Sequence, residues 1–170
     1  MNKDKKSNRF IIMGVASTGK SSVGEAFAKA IKAKFIDGDD LHPKANIIKM
    51  SAGQSLNDND RVPWLERIRD AAFSLEKKNE SGVIVCSALK KKYRDMICEG
   101  NCNVTFIFLQ GDFNLVLQRM QNREGHFMPV ELLQSQFDTL ELPKADETNV
   151  INIDIDGSFE EVLSRCIQAV

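Results

Sequence analysis

The chain has 170 residues, 42% of them apolar, enough for one domain with one core. Lys and Arg number 23 against 24 Asp and Glu, a formal net charge of −1. No basic excess points to a nucleic-acid backbone or an anionic membrane, so a small-molecule partner is favoured. No apolar stretch approaches the roughly 20 residues that cross a bilayer, and the start shows no signal-peptide cleavage pattern, so a soluble, cytoplasmic protein is expected. Cys86, Cys98, Cys102 and Cys166 form no C-x-x-C pair and accompany only two histidines. They read as free, mostly buried thiols rather than a zinc site or a disulfide frame.

Residues 1–8 are polar and charged and read as a frayed terminus ahead of a domain over residues 9–170. RFIIMGV is an expected buried strand, and Lys20 to Ala33, with Val23, Phe27, Ala30 and Ile31 at helical spacing, an expected helix. KFID is a second strand, expected to lie beside the first. Helical stretches from Pro43 to Met50 and from Val62 to Lys78 flank SAGQSLNDND, a loop or a helix start. GVIVCS, VTFIFLQ and NVINIDI are the third, fourth and fifth strands, continuous apolar runs suited to a sheet covered on both faces. Helical patterns fall at Lys90 to Ile97, Asp112 to Asn122, Pro129 to Leu140 and from Ser158. The alternation predicts an α/β, three-layer fold with a parallel sheet between helices.

Gly14-Val15-Ala16-Ser17-Thr18-Gly19-Lys20-Ser21 matches G-x-x-x-x-G-K-[ST] between an expected strand and an expected helix, the context this motif needs. Gly14 and Gly19 let the backbone curl so that N–H groups point at phosphate oxygens, and the N-terminus of the following helix, whose first turn holds Ser22, adds positive charge. Lys20 neutralises the outer phosphates and Ser21 offers a hydroxyl to Mg²⁺. A dinucleotide-binding turn is the competing use, with Asp37 near the distance of a ribose-binding acid. It lacks G-x-G-x-x-G here and would leave Lys20 and Ser21 without a role. A nucleoside triphosphate with Mg²⁺ is expected.

A GTP-binding switch carries the same loop, so the class is decided elsewhere. Asn-Lys-x-Asp has a counterpart only at Asn2-Lys3-Asp4, and Asp-x-x-Gly only at Asp154 to Gly157 after the fifth strand, both misplaced for guanine reading and switching. The third strand runs into VIVCSALK without a carboxylate. FIDGDDLHP instead puts Asp37, Asp39 and Asp40 at the carboxyl end of the second strand, the edge where ligands bind in open α/β sheets. One carboxylate for Mg²⁺ and one for an acceptor hydroxyl is what phosphoryl transfer to an alcohol requires. The spacing alone leaves open a solvated turn, with Asp40 as the cap of the next helix.

GVASTGKSS, DGDDLHP, SLNDNDRVPWL, CSALKKKYRD, GHF and ADET together resemble the bacterial gluconate kinases, small P-loop enzymes that phosphorylate D-gluconate with ATP. The resemblance runs from Arg9 to Asp156, and CSALKKKYRD and DGDDLHP are its most specific pieces. It implies the nucleoside-monophosphate-kinase-like fold, a five-stranded parallel sheet with a mobile lid over about residues 119–130, and a homodimer. Related kinases, such as those of shikimate, use an Asp-x-Asp pair after the second strand. By that similarity Asp37 holds Mg²⁺ through water, and Asp39 orients the acceptor hydroxyl and takes its proton; the residues themselves leave open which of the two is the base.

Gluconate is a small polyhydroxylated monoanion, so its pocket needs a fixed cation and several hydrogen-bonding groups. Arg61 in NDNDRVPW takes the cation role by its position in the shikimate-kinase-like pattern. Lys90, Tyr93 and Arg94 supply the rest, Lys90 and Arg94 being four apart and so on one helix face, while Lys91 and Lys92 read as solvated. His42 shapes the turn before Pro43 or meets a hydroxyl, and Trp64 reads as a packing residue. In LQRMQNREGHFMP, Arg119 and Arg123 are an i, i+4 pair and Gly125 permits a hinge near His126, which is grouped with the acceptor contacts. Related kinases imply that such arginines close over the triphosphate, stabilise the moving phosphoryl group and exclude water. Asp112 reads as a helix cap. Shikimate or another polyol acid is the alternative acceptor, and a regulatory nucleotide-binding module the alternative class.

Overall fold

Each strand run has apolar residues at successive positions, so both of its faces need cover. In the computed structural model, which describes residues 6–123 and 129–170, these runs form one sheet: β1 (Arg9–Met13), β2 (Lys34–Asp37), β3 (Gly82–Val85), β4 (Val104–Gln110) and β5 (Val150–Asp154). All pairings are parallel, in the order β2-β3-β1-β4-β5. The helices among the described residues are α1 (Lys20–Ile31), α2 (Lys44–Ser51), α3 (Asp58–Lys77), α4 (Lys91–Cys98), α5 (Phe113–Gln121), α6 (Val130–Thr139) and α7 (Phe159–Gln168).

Strand alternation divides the core in two. Phe10, Ile12, Val83, Val85, Ile107 and Leu109 face α1, α5, α6 and α7, meeting Val23, Phe27, Val116, Leu133 and Val162. Ile11, Met13, Ile84, Phe106 and Phe108 face α3 and α4, meeting Trp64, Leu65, Ile68, Tyr93 and Ile97. Each such side chain stabilises the fold by about 1.5–3 kcal/mol relative to exposure, so these two layers fix the sheet between its helices.

The structure departs from expectation at three places. β2 pairs with β3, not with β1, so one strand separates the Asp37 edge from the phosphate-loop strand. α3 begins at Asp58 rather than Val62, because Asn57 and Asp60 form a reciprocal capping box: Asp60 N–H donates to Asn57 Oδ1 at 2.8 Å and Asn57 N–H to Asp60 Oδ2 at 2.9 Å. Pro63 therefore lies inside the helix, at the loss of one ladder donor. Ser7, expected in the frayed end, is 8% exposed and accepts from Arg9 Nη1 at 2.7 Å. No helix among the described residues is long and apolar enough to cross a membrane. All four cysteines are free; Cys86 and Cys166 are buried, Cys98 partly so, and Cys102 is exposed.

Candidate functional site

β1 ends at Met13, and the chain turns through residues 14–19 before α1 starts at Lys20. Gly14 has φ 143°, and a Cβ there would stand 2.8 Å from the Leu109 carbonyl oxygen, so this turn requires glycine. Its N–H donates to Ser87 O at 3.2 Å, which ties the phosphate loop to the segment after β3. Lys20 Nζ donates to Val15 O at 2.7 Å, and Thr18 Oγ1 to the same oxygen at 3.0 Å. Ala16 N–H donates to Oε1 of Gln136, on α6, at 2.7 Å. An amide and the ammonium that a phosphate would engage thus hold oxygens of the protein itself. Burial pulls the Lys20 ammonium down to about 8, against the opposing effects of Asp39, Cys86 and Asp37.

Asp37 ends β2 in register with Val85 of β3, and a 3-10 turn, Gly38–Leu41, follows. Asp37 Oδ1 accepts from Asp39 N–H at 3.0 Å, and Asp37 Oδ2 accepts from Ser21 Oγ at 3.4 Å. The carboxylate therefore reaches the first turn of α1 although β3 lies between β2 and β1. Gly38 permits this close approach: a Cβ would overlap the Val85 carbonyl oxygen and sit 2.9 Å from Ile68 Cδ1. Trp64 Nε1 donates to Gly38 O at 2.7 Å and pins the turn from α3. The cap of this turn is Asp37; Asp40, expected to cap the next helix, is exposed within the turn, and Pro43 precedes α2. Desolvation in the cleft, then the Asp37 charge, push the Asp39 carboxyl above its ordinary range, with Lys20 opposing.

His42 packs behind the turn. It is 8% exposed, stacks on Trp64 with ring centroids 4.1 Å apart, and meets Asn46 Nδ2 through Nδ1 at 3.2 Å. Its burial, then the nearby Arg61, lower its pKa to about 4, so the ring is neutral at pH 7. Trp64 is a packing residue, 2% exposed.

Arg61, Lys90 and Tyr93 do come together. Arg61 Nη1 donates to the Tyr93 hydroxyl at 3.0 Å, and the Arg61 guanidinium and Lys90 Nζ lie 5.4 and 5.7 Å from the centre of the Tyr93 ring. Lys90 Nζ also pairs with Asp58 at 3.1 Å. Lys92, expected to be solvated, pairs with the same carboxylate. Arg94 does not join them. Lys90 is the extended residue before α4, so the two do not share a helix face. Arg94 turns into the core, 2% exposed, where Nε and Nη2 donate to Glu147 at 2.7 and 3.0 Å and its other donors reach Ala88 O and Glu141 O. The expected acceptor contact is thereby replaced by a buried ion pair that fixes the CSALK and ADET segments to each other.

Arg119, on α5, donates through Nη2 to the carbonyls of Ile155 and, at 2.9 Å, of Gly157, which hold it at the loop after β5. Arg123 is exposed beyond α5, and Asp112 caps that helix through Leu115 N–H at 2.8 Å. His126 and the middle of the expected lid lie outside the described residues. Among the described residues no three His, Cys, Asp or Glu side chains gather as a metal cage. The Ser21 and Asp37 oxygens fit a hard cation that keeps waters and takes its remaining ligands from phosphate. An apolar cavity of about 270 Å³, lined by Val15, Leu109, Phe137 and Leu140 among others, lies beside the loop and offers no cation to an acid.

A shikimate kinase family model matches residues 16–170. The thermosensitive gluconokinase of Escherichia coli (strain K12) is 56% identical over 161 residues, covering 95% of this chain and 86% of that protein. The chain belongs to the gluconokinase family. The thermoresistant gluconokinase of the same organism is 48% identical over 161 residues, covering 95% and 92%. A solved gluconokinase from Sinorhizobium meliloti 1021 superposes with a TM-score of 0.88 at 41% identity, over 96% of this chain and 91% of that one. Membership of the gluconokinase family makes the protein a P-loop kinase with the expected five-stranded parallel sheet. Three residues at or beside the site carried no sequence signal of their own. Asp58 sits in a polar run that reads as a loop or a helix start, Gln136 meets Ala16 across 120 positions, and Glu147 is defined by the Arg94 it pairs with.

Proposed function

We propose that the protein is a gluconate kinase that transfers the γ-phosphoryl group of ATP, with Mg²⁺, to a hydroxyl of D-gluconate, giving 6-phospho-D-gluconate and ADP. One observation carries the reading: Asp37 spans from the Ser21 hydroxyl at 3.4 Å to the Asp39 amide at 3.0 Å, which brings a second carboxylate beside the phosphate loop. Lys20 and the amides of residues 15–22 hold the phosphates once Lys20 leaves Val15 O and Ala16 N–H leaves Gln136. Ser21 and Asp37 would hold Mg²⁺, which supplies charge neutralisation to the phosphates when bound. Asp39 accepts the proton of the attacking hydroxyl, and its raised pKa brings it closer to working pH as a base. Arg61, Lys90 and Tyr93 take the carboxylate and hydroxyls of the acceptor. Arg123 and His126 belong to the closing segment, which Arg119 joins only on leaving the Ile155 and Gly157 carbonyls. The family resemblance further supports a cytoplasmic homodimer.

ADP release with Mg-ATP, measured without acceptor and with gluconate, shikimate or nucleoside monophosphates, tests this reading. A large increase with gluconate alone is expected. A response to shikimate instead would move the acceptor, and release indifferent to every acceptor would overturn the kinase assignment.

A further inference from the structure

Asp58 is the first residue of α3, one turn before Arg61, and its carboxylate is where α3 meets the start of α4. Oδ1 accepts from the Tyr93 hydroxyl and from Lys90 Nζ at 3.1 Å; Oδ2 accepts from Lys92 Nζ and, at 3.4 Å, from Lys90 again. Both oxygens of this carboxylate are therefore engaged by the protein's own donors. Its effect passes through its partners. A phenol has one proton, and Tyr93 gives it to Asp58, so the Tyr93 oxygen can only accept from Arg61. That bond uses one of the five N–H donors of Arg61, and its Nε and Nη2 have no hydrogen-bond partner among the described residues.

We propose that Asp58 is the positioning residue of the acceptor clamp: by fixing the Tyr93 hydroxyl and Lys90, it aims the remaining Arg61 donors at the carboxylate of a small polyhydroxylated acid. This rests on the reading of Arg61, Lys90 and Tyr93 as acceptor contacts. The hydrogen bonds from Lys92, Tyr93 and Lys90 hold the Asp58 carboxyl below the ordinary range, so it is ionised at neutral pH and able to orient these donors. Lys90 and Lys92 pair with Asp58, Arg61 joins through Tyr93, and Asp60 beside Arg61 is paired with Lys49, so the cations outnumber the carboxylates at a site for a monoanionic acceptor.

The test compares Asp58→Asn, Tyr93→Phe, the double variant and Arg61→Ala in the full chain, with KM for gluconate and for ATP, kcat and the melting temperature of each. Asp58→Asn should raise the gluconate KM by about tenfold while the ATP KM stays within about twofold, a split that a general loss of structure would not produce. Tyr93→Phe should act in the same direction, and the double variant should fall short of the product of the two effects, because part of the Asp58 effect passes through the Tyr93 hydroxyl. Should Asp58→Asn fail to fold, Tyr93→Phe carries the same comparison. An unchanged gluconate KM, equal rises for both substrates, or fully additive effects would overturn the positioning role. If Arg61→Ala raises the gluconate KM and Asp58→Asn does not, only this role fails. If Arg61→Ala also leaves it unchanged, the acceptor assignment of the pocket falls with it.

Discussion

Asp37 and Asp39 stand two positions apart and differ in chemistry because their partners differ. Asp37 is engaged on both oxygens, by the Ser21 hydroxyl and the Asp39 amide, which suits a fixed ligand. Asp39 feels the charges of both Asp37 and Lys20, and its carboxyl is pushed up by desolvation and by the Asp37 charge, with Lys20 opposing. Asp39→Asn should lower kcat at least about a hundredfold, the usual range for a lost general base, with ATP affinity changed less than about twofold in nucleotide titrations. The sign of the pH effect follows from the shift. The base works ionised, so kcat/KM falls as pH drops through the raised Asp39 value, and the acid limb lies above the ordinary 3.8. In Asp39→Asn that limb should vanish from the residual rate.

Two elements converge on the turn that presents these carboxylates. The edge of β3 leaves no space for a side chain at Gly38, and α3 holds the turn through Trp64. Gly38→Ala should cost about 1–3 kcal/mol in chemical denaturation, as overpacking does, and lower kcat more than tenfold with ATP binding retained, because the phosphate loop hangs from β1. The Arg94–Glu147 pair is the corresponding device behind α4. Its side chains are 2% and 8% exposed, so Glu147→Gln leaves a buried guanidinium without its counter-charge and should cost about 3–5 kcal/mol in the same measurement. The Glu147 carboxyl is held down chiefly by its hydrogen bond to Arg94. Its stabilisation is therefore full above the ordinary value of 4.5 and is lost as pH falls through the lowered one, and the variant should lack that acid-side loss. The strands and most helices were legible because apolar runs and 3.6-residue spacing report burial directly. The start of α3 was only half legible, because the polar run holding the Asn57–Asp60 box reads equally as a loop or a helix start, and Pro63 looks like a boundary. Nor was the fate of Arg94, since a lysine–arginine pair four apart says nothing of a glutamate fifty-three positions on.

Across the whole molecule the proposed phosphate and acceptor groups belong to opposite layers. α1 and the phosphate loop belong to one face of the sheet, while α3 and α4, with Arg61, Lys90 and Tyr93, belong to the other. The carboxyl edge of the strands is where the layers meet, and Asp37 and Asp39 stand at that junction. The position of this edge follows from the strand pattern, whereas the order β2-β3-β1 depends on which strand β3 recruits and is written in no single segment. That order places Asp37 at the end of a four-residue edge strand whose residues are exposed or half-buried, with Asp39 in the turn just after it, while β1, which carries the phosphate loop, is buried along its length. Edge strands of this kind open locally at lower free energy than the centre of a sheet. Warming should therefore silence phosphoryl transfer before it releases nucleotide. Amide exchange at Phe35, Ile36 and Asp37 should outpace that at Ile11 and Ile12, and brief heating should abolish turnover at a temperature where a fluorescent nucleotide still binds.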